Sequence, residues 1–214
     1  RARYLNPDSG RFWSMDDFEG RGHDPASLHK YLYAHGDPVG LKDPSGMSPL
    51  LQTLAAQITA SVMQSMVTVR VAFFFGAAAG GAALRNLGMA VENGAFRVLQ
   101  TGGARITQGI RIAGADGVRV IDMMARIGER VALIEVKYKL PSRAGPQLNR
   151  LVGQMTAATE AAAGKGQQVV VFTFKEPQIA QLRLIHDKLG ERAMTIQYVS
   201  GFDGLVRWMN FYFQ

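Results

Sequence analysis

The chain has 214 residues, 47% of them apolar and 19% charged, which is enough for a buried core and gives no compositional reason for disorder. It has no cysteine, so disulfides, thiolate zinc sites and cysteine nucleophiles are excluded, and its four scattered histidines argue against a histidine zinc cluster. The net charge of +7 is uneven: residues 1–47 hold six Lys/Arg against seven Asp/Glu, and residues 48–214 hold eighteen against ten. A basic C-terminal part suits a polyanionic partner, through counterion release, as well as a surface kept soluble by its charge.

The chain opens on Arg1-Ala2-Arg3-Tyr4, with no initiator Met and no signal-peptide pattern, and so reads as a piece of something longer. Residues 1–47 set aromatic residues between turn dipeptides such as Asn6-Pro7, Ser9-Gly10 and Asp43-Pro44, which predicts short strands and tight turns. Composition changes at Ser48. From Pro49 to about Ala90 the chain is apolar, and Leu50, Leu51, Leu54, Ala55 and Ile58 recur at helical spacing. Val71 to Leu84, between Arg70 and Arg85, is a charge-free run of 14 residues, short of the roughly 20 that span a membrane, and it reads as a buried or packed helix weakened by Gly76–Gly81.

From residue 95 an α/β pattern is expected. Strands are predicted near 95–100, 105–113, 117–126 and 131–139, then a helix over 145–163 opened by Gly145-Pro146. A strand at 168–174, a helix at 177–190, a strand at 194–199 and a short helix from 203 follow. The organisation predicted is a turn-rich segment 1–47, an apolar helical segment 48–90 and an α/β domain 91–214.

Several ordered motifs fall within residues 1–47: Arg3-Tyr4-Leu5-Asn6-Pro7, Gly10-Arg11-Phe12-Trp13-Ser14-Met15-Asp16, Leu28-His29-Lys30-Tyr31-Leu32-Tyr33 and Asp43-Pro44-Ser45-Gly46-Met47. Together they resemble the end of the Rhs-repeat core that precedes variable C-terminal toxins in bacterial polymorphic toxin systems. That resemblance implies an aspartyl autoprotease segment cutting between Met47 and Ser48, with Asp16 and Asp43 as the carboxylates, one activating water and the other protonating the leaving group. Asp17 stands where the family often has proline, so Asp16 and Asp17 remain alternatives, and turn and capping roles are open to all these aspartates.

The chemistry concentrates in Gly117-Val-Arg-Val-Ile-Asp122 through Glu135-Val136-Lys137, two apolar runs around Gly128-Glu129. A two-residue type II′ turn wants Gly first, which makes this a hairpin with residue i facing residue 257 minus i. Asp122 then faces Glu135, with Cβ atoms about 5 Å apart, and strand alternation puts Lys137 on the same face. Two carboxylates and an ammonium in apolar strands are costly to bury unless paired or bound to a cation. The two carboxylates with the Val136 carbonyl and waters would suit Mg²⁺ or Mn²⁺, and Lys137 would orient a water or stabilise developing charge.

This order, an Asp on one strand, Glu-x-Lys on the next and then a crossover helix, resembles the PD-(D/E)xK nucleases. The resemblance implies a restriction-endonuclease-like mixed sheet flanked by helices and a metal-dependent deoxyribonuclease. Gln154 would serve as a helix residue bordering the site, and Gln147, Arg150 and Gln154 share one helix side at spacing i, i+3 and i+7. Lys139, Arg143 and Lys165, with Gln147 and Arg150, are candidates for the nucleic-acid backbone. Glu92 is a candidate further ligand or a surface carboxylate.

With the upstream segment, the resemblances imply a secreted effector toxin of the type VI kind acting on target-cell DNA in the cytoplasm. Its partners would be a cognate immunity protein, the rest of the Rhs shell, and a delivery chaperone or secretion spike protein. Three other readings stay open: an RNase of the same fold, a membrane-active toxin using residues 50–84, and a non-enzymatic module whose carboxylate patch binds no metal.

Overall fold

The computed structural model describes residues 3–15, 25–36, 49–114 and 117–213. The chain divides into two compact units, Arg1–Leu54 and Ala55–Gln214. In the first, strands β1 (Leu5–Asn6) and β2 (Arg11–Phe12) pair antiparallel across a turn in which Asn6 Oδ1 accepts from the Asp8 amide at 3.0 Å. The Arg3 guanidinium lies 4.0 Å from the centre of the Phe12 ring, which also meets Tyr33 edge-on at 5.6 Å. These contacts gather Arg3 and Tyr33 on the buried Phe12 ring. Asp16, Asp43, Met47 and Ser48, the candidate autocleavage residues, lie outside the described residues.

The second unit is built on a hairpin. Strands β4 (Gly117–Ile127) and β5 (Arg130–Lys137) pair antiparallel from Ile127–Arg130 to Met123–Ile134, the register in which paired residue numbers total 257. Gly128 supplies the positive φ of 57° that the first turn position requires, and Glu129 does not share it. Strand β3 (Arg105–Gly114) adds antiparallel to β4, while β6 (Gln168–Thr173) and β7 (Ile196–Ser200) add parallel beyond β5. The result is a mixed five-stranded sheet in the order β3-β4-β5-β6-β7, flanked by helices.

Each parallel step needs a crossover, and the chain supplies a helix each time. Helix α3 (Pro146–Ala162) and helix α4 (Ile179–Leu189) bury Leu148, Leu151, Met155 and Ile185 against Leu133, Val169 and Val171. Helix α5 (Gly201–Tyr212) lies against β7 and puts Phe202 on Phe172, ring centres 5.4 Å apart. Two long helices precede the sheet, α1 (Pro49–Phe74) and α2 (Ala77–Thr101). Leu51, Ala55, Ile58 and Val62 of α1 are buried at helical spacing, as the pattern of its first turns predicts.

Two expectations are corrected. Residues 95–100 are not a strand but the end of α2. Their β-forming residues continue a 3.6-residue period, because Val91, Gly94, Ala95, Val98 and Leu99 are the buried positions and pack with α5 and the sheet. The run Val71–Leu84 is not one buried helix either. It breaks at Phe75-Gly76, where Gly76 has φ 120°, and most of its side chains are exposed. Among the described residues no helix is long and apolar enough to cross a membrane.

Candidate active site

The β4–β5 ladder stops one pair short of Asp122 and Glu135. There the strands are joined by side chains instead. The Val136 amide donates to Asp122 Oδ2 at 2.7 Å, and Glu135 Oε2 accepts from the Asp122 amide at 3.4 Å. Lys137 Nζ donates to Glu135 Oε1 and, at 3.2 Å, to the Val136 carbonyl, and it lies 3.7 Å from Asp122 Oδ2. One ammonium thus bridges two carboxylates from neighbouring strands. The convergence predicted from the hairpin register is present, with all three charged groups in one cluster.

Burial is uneven within it. The Glu135 side chain is 0% exposed, whereas Asp122 and Lys137 keep 23% and 30%. The cluster is therefore open on the side of Asp122 and Lys137. Desolvation pushes the Glu135 carboxyl up to about 7, with Asp122 adding to the rise and the Lys137 ammonium opposing it. Hydrogen bonds from Lys137 and from the Asp122 amide also favour its charged form.

Glu92 of α2 belongs to the same electrostatic neighbourhood. Burial raises its carboxyl, the charge of Asp122 raises it further, and Lys137 lowers it. Sequence reasoning weighed this residue as a ligand against a surface carboxylate, and only the packing of α2 on the sheet shows it close to the cluster. Thr173 is a residue that sequence reasoning missed. It pairs in register with Lys137, is fully buried, and its Oγ1 has no partner. Its signal in the sequence was weak, since a threonine ending a Val-rich strand is unremarkable in composition.

Gln154 sits apart from the carboxylates in its observed bonding. It is buried on α3, donates Nε2 to the Val120 carbonyl of β4 at 2.7 Å, and leaves Oε1 without a partner. It anchors α3 two residues from Asp122. Gln147 and Arg150, on the same helix, are exposed, as are Lys139, Arg143 and Lys165. Lys139 and Arg143 lie in the segment that leaves β5, where Tyr138 stacks on Phe174 and Lys175 stands 5.7 Å from the Tyr138 ring. Lys175 joins the cations near this end of the sheet and was not singled out from the sequence.

A cavity of about 370 Å³ lies elsewhere on α3 and includes none of the cluster residues. It is lined in part by Arg119, Asn149, Thr156 and Lys188, and Gly153 makes room for it. A Cβ there would stand 3.1 Å from the Arg119 guanidinium.

Among the described residues no group of three or more His, Cys, Asp and Glu stands close enough to hold a metal by itself. Asp122, Glu135 and the Val136 carbonyl are nonetheless hard oxygen donors of the kind that Mg²⁺ or Mn²⁺ takes with few protein ligands. A fully desolvated carboxylate beside a second one is also an environment that a cation relieves. The residues fit such an ion.

No family model matches the chain, and no curated protein does. Among solved structures, the crystal structure of the protein of unknown function AF1548 resembles it at 15% identity with a TM-score of 0.36, over 56% of this chain. The chain spans 66% of that structure, just under two thirds of its length.

Proposed function

We propose that the second unit is a metal-dependent nuclease of the PD-(D/E)xK kind acting on DNA, with the turn-rich N-terminal segment as the tail of an Rhs core that releases it as a toxin. The observation that carries this reading is the bridge made by Lys137 Nζ between Glu135 and Asp122, on strands tied together by the Val136 amide. Structural ion pairs seldom place a fully buried glutamate beside a second carboxylate, because breaking or mispairing the cluster leaves a charge without solvent.

Asp122, Glu135 and the Val136 carbonyl would hold Mg²⁺ or Mn²⁺. When bound, such an ion polarises a phosphoryl oxygen and acidifies a coordinated water. Lys137 Nζ, the partly exposed donor of the cluster, is placed to orient an attacking water or to meet the charge developing on phosphate oxygens. Gln154 holds β4 against α3 and so keeps Asp122 in position. Lys139, Arg143, Gln147 and Arg150, with Lys165 and Lys175, would contact the sugar-phosphate backbone without reading its sequence.

The reading further assigns the chain to a secreted effector delivered to a target-cell cytoplasm, held inactive by an immunity protein and carried with the rest of its Rhs shell and a delivery chaperone or spike. Cleavage between Met47 and Ser48, using Asp16 and Asp43, belongs to the same proposal. The test incubates the chain with plasmid DNA and with total RNA, in Mg²⁺ and in EDTA, alongside the Lys137→Ala variant. Plasmid nicking that needs Mg²⁺ and Lys137 is the expected result. Cleavage of RNA alone transfers the activity to the RNase reading, and cleavage of neither removes the nuclease reading.

A further inference from the structure

Helices α1 and α2 form an antiparallel hairpin whose tip carries Phe74, the most exposed large apolar side chain among the described residues. Two close approaches define it. A Cβ on Gly80 would stand 2.2 Å from the Phe73 ring, and one on Gly94 would stand 2.6 Å from Ile58 Cγ2. In both pairs a glycine of α2 receives a side chain of α1, and the residue numbers of each pair total nearly the same value, so the two helices run alongside each other up to Phe75-Gly76. Because Phe73 is held on Gly80, the aromatic residues left at the tip are Phe74 and Phe75, 92% and 79% exposed. Below them Val71, Val67 and Met63 continue an exposed apolar stripe down α1, spaced by four residues.

The charges around this tip are one-sided. From Pro49 to Val91 the sequence contains no acidic residue, and its charged residues are Arg70 and Arg85. At 1.5 Å per helical residue they stand roughly 9 and 14 Å back from Gly76. Interfacial segments bury their apolar side about 5–10 Å into the boundary between headgroups and acyl chains. Two phenylalanines at that depth would put Arg70 level with the phosphates and Arg85 just outside them, where long cationic side chains are favoured. A second copy of the chain fits less well. Its tip would offer apolar side chains but, between Pro49 and Val91, no carboxylate to meet Arg70 and Arg85.

We propose that the α1–α2 tip docks peripherally on an anionic lipid bilayer, with Phe74 and Phe75 inserted below the headgroups and Arg70 and Arg85 on lipid phosphates. Only the tip enters the interface, and the helices do not span the bilayer, consistent with their lacking a membrane-crossing length of apolar sequence. This surface is separate from the carboxylate cluster, and the proposal does not depend on the nuclease reading.

The experiment is co-sedimentation of the full chain with vesicles of phosphatidylcholine alone and of phosphatidylcholine mixed with phosphatidylglycerol. Wild type is expected to bind the mixed vesicles and not the neutral ones. The double variant F74D/F75D should lose at least about tenfold in partitioning, since two buried aromatic side chains carry more than that. Phe211→Asp, at a comparably exposed position on α5, should bind as wild type does, and circular dichroism confirms that each variant is folded. Equal binding by wild type and F74D/F75D would mean that net charge alone attracts the lipid, and overturns the proposal. So would failure of wild type to bind, or sedimentation showing that Phe74 and Phe75 instead mediate self-association.

Discussion

The Val136 amide donates to Asp122 Oδ2 at 2.7 Å just beyond the last regular rung of the β4–β5 ladder, between Met123 and Ile134. A side-chain carboxylate has taken the place of a main-chain acceptor. The strands can therefore separate enough to admit Glu135 and Lys137 without leaving the Val136 amide unsatisfied.

Because burial raises the Glu135 carboxyl to about 7 from an ordinary 4.5, the folded chain holds this proton more tightly than the unfolded chain does. The stability it contributes is fully present below about 4.5 and is lost as pH rises through about 7. Without divalent metal, Glu135→Gln should match wild type near pH 4 and exceed it at high pH by on the order of 3 kcal/mol. Chemical denaturation across that pH range in EDTA checks this. A constant difference between the two proteins would contradict it.

Lys137→Met removes the ammonium that favours the charged form of Glu135, so the protonation midpoint of that carboxyl should move above its wild-type value. Carboxyl-selective NMR titration reads the shift directly. The proposed nuclease activity should fall at least about a hundredfold, while the fold persists because Lys137 is partly exposed.

Gln154→Leu keeps the volume but leaves the Val120 carbonyl without its donor, at a cost of about 1–3 kcal/mol. If Gln154 acts by holding β4, turnover should decline while the apparent affinity for metal falls with it, since Asp122 is displaced. Loss of turnover with metal binding intact, measured by Mn²⁺ titration, would instead place Gln154 against the substrate.

Glycine in a helix interior ordinarily gains about 1 kcal/mol on substitution by alanine. Gly88→Ala, with nothing near its added Cβ, should follow that rule. Gly94→Ala should not, because its Cβ would meet Ile58 at 2.6 Å and the ring of Phe202 at 2.6 Å. Phe202 is itself confined between Phe172 and Phe174. Destabilisation of about 1–3 kcal/mol is expected, and thermal melts of the two variants should move in opposite directions.

The hairpin register was legible because one glycine in a two-residue turn determines every pairing that follows it. Asp122, Glu135 and Lys137 could be grouped from that register and strand alternation alone. The side-chain bond that ends the ladder could not, since nothing in the alternation distinguishes a paired Asp122 from one that replaces a rung. Ala95–Gln100 contains good β-formers, and its helical state is decided by packing against α5 and the sheet. Phe73–Phe75 looked like core for a related reason: apolar composition does not say whether a partner surface exists. Glu92 joins the site from 30 residues before Asp122 through tertiary packing, beyond the reach of local pattern.

The substituted rung also gives the molecule an internal indicator. An amide proton bound to a carboxylate oxygen is deshielded according to the charge that oxygen carries, and the Val136 proton is bound to one at the mouth of the cluster. Its resonance should move when a cation draws electron density from Asp122, and its exchange with solvent should slow as the pair of strand ends is clamped. A single assigned cross-peak would then report in real time whether a cation enters the cluster, without substrate.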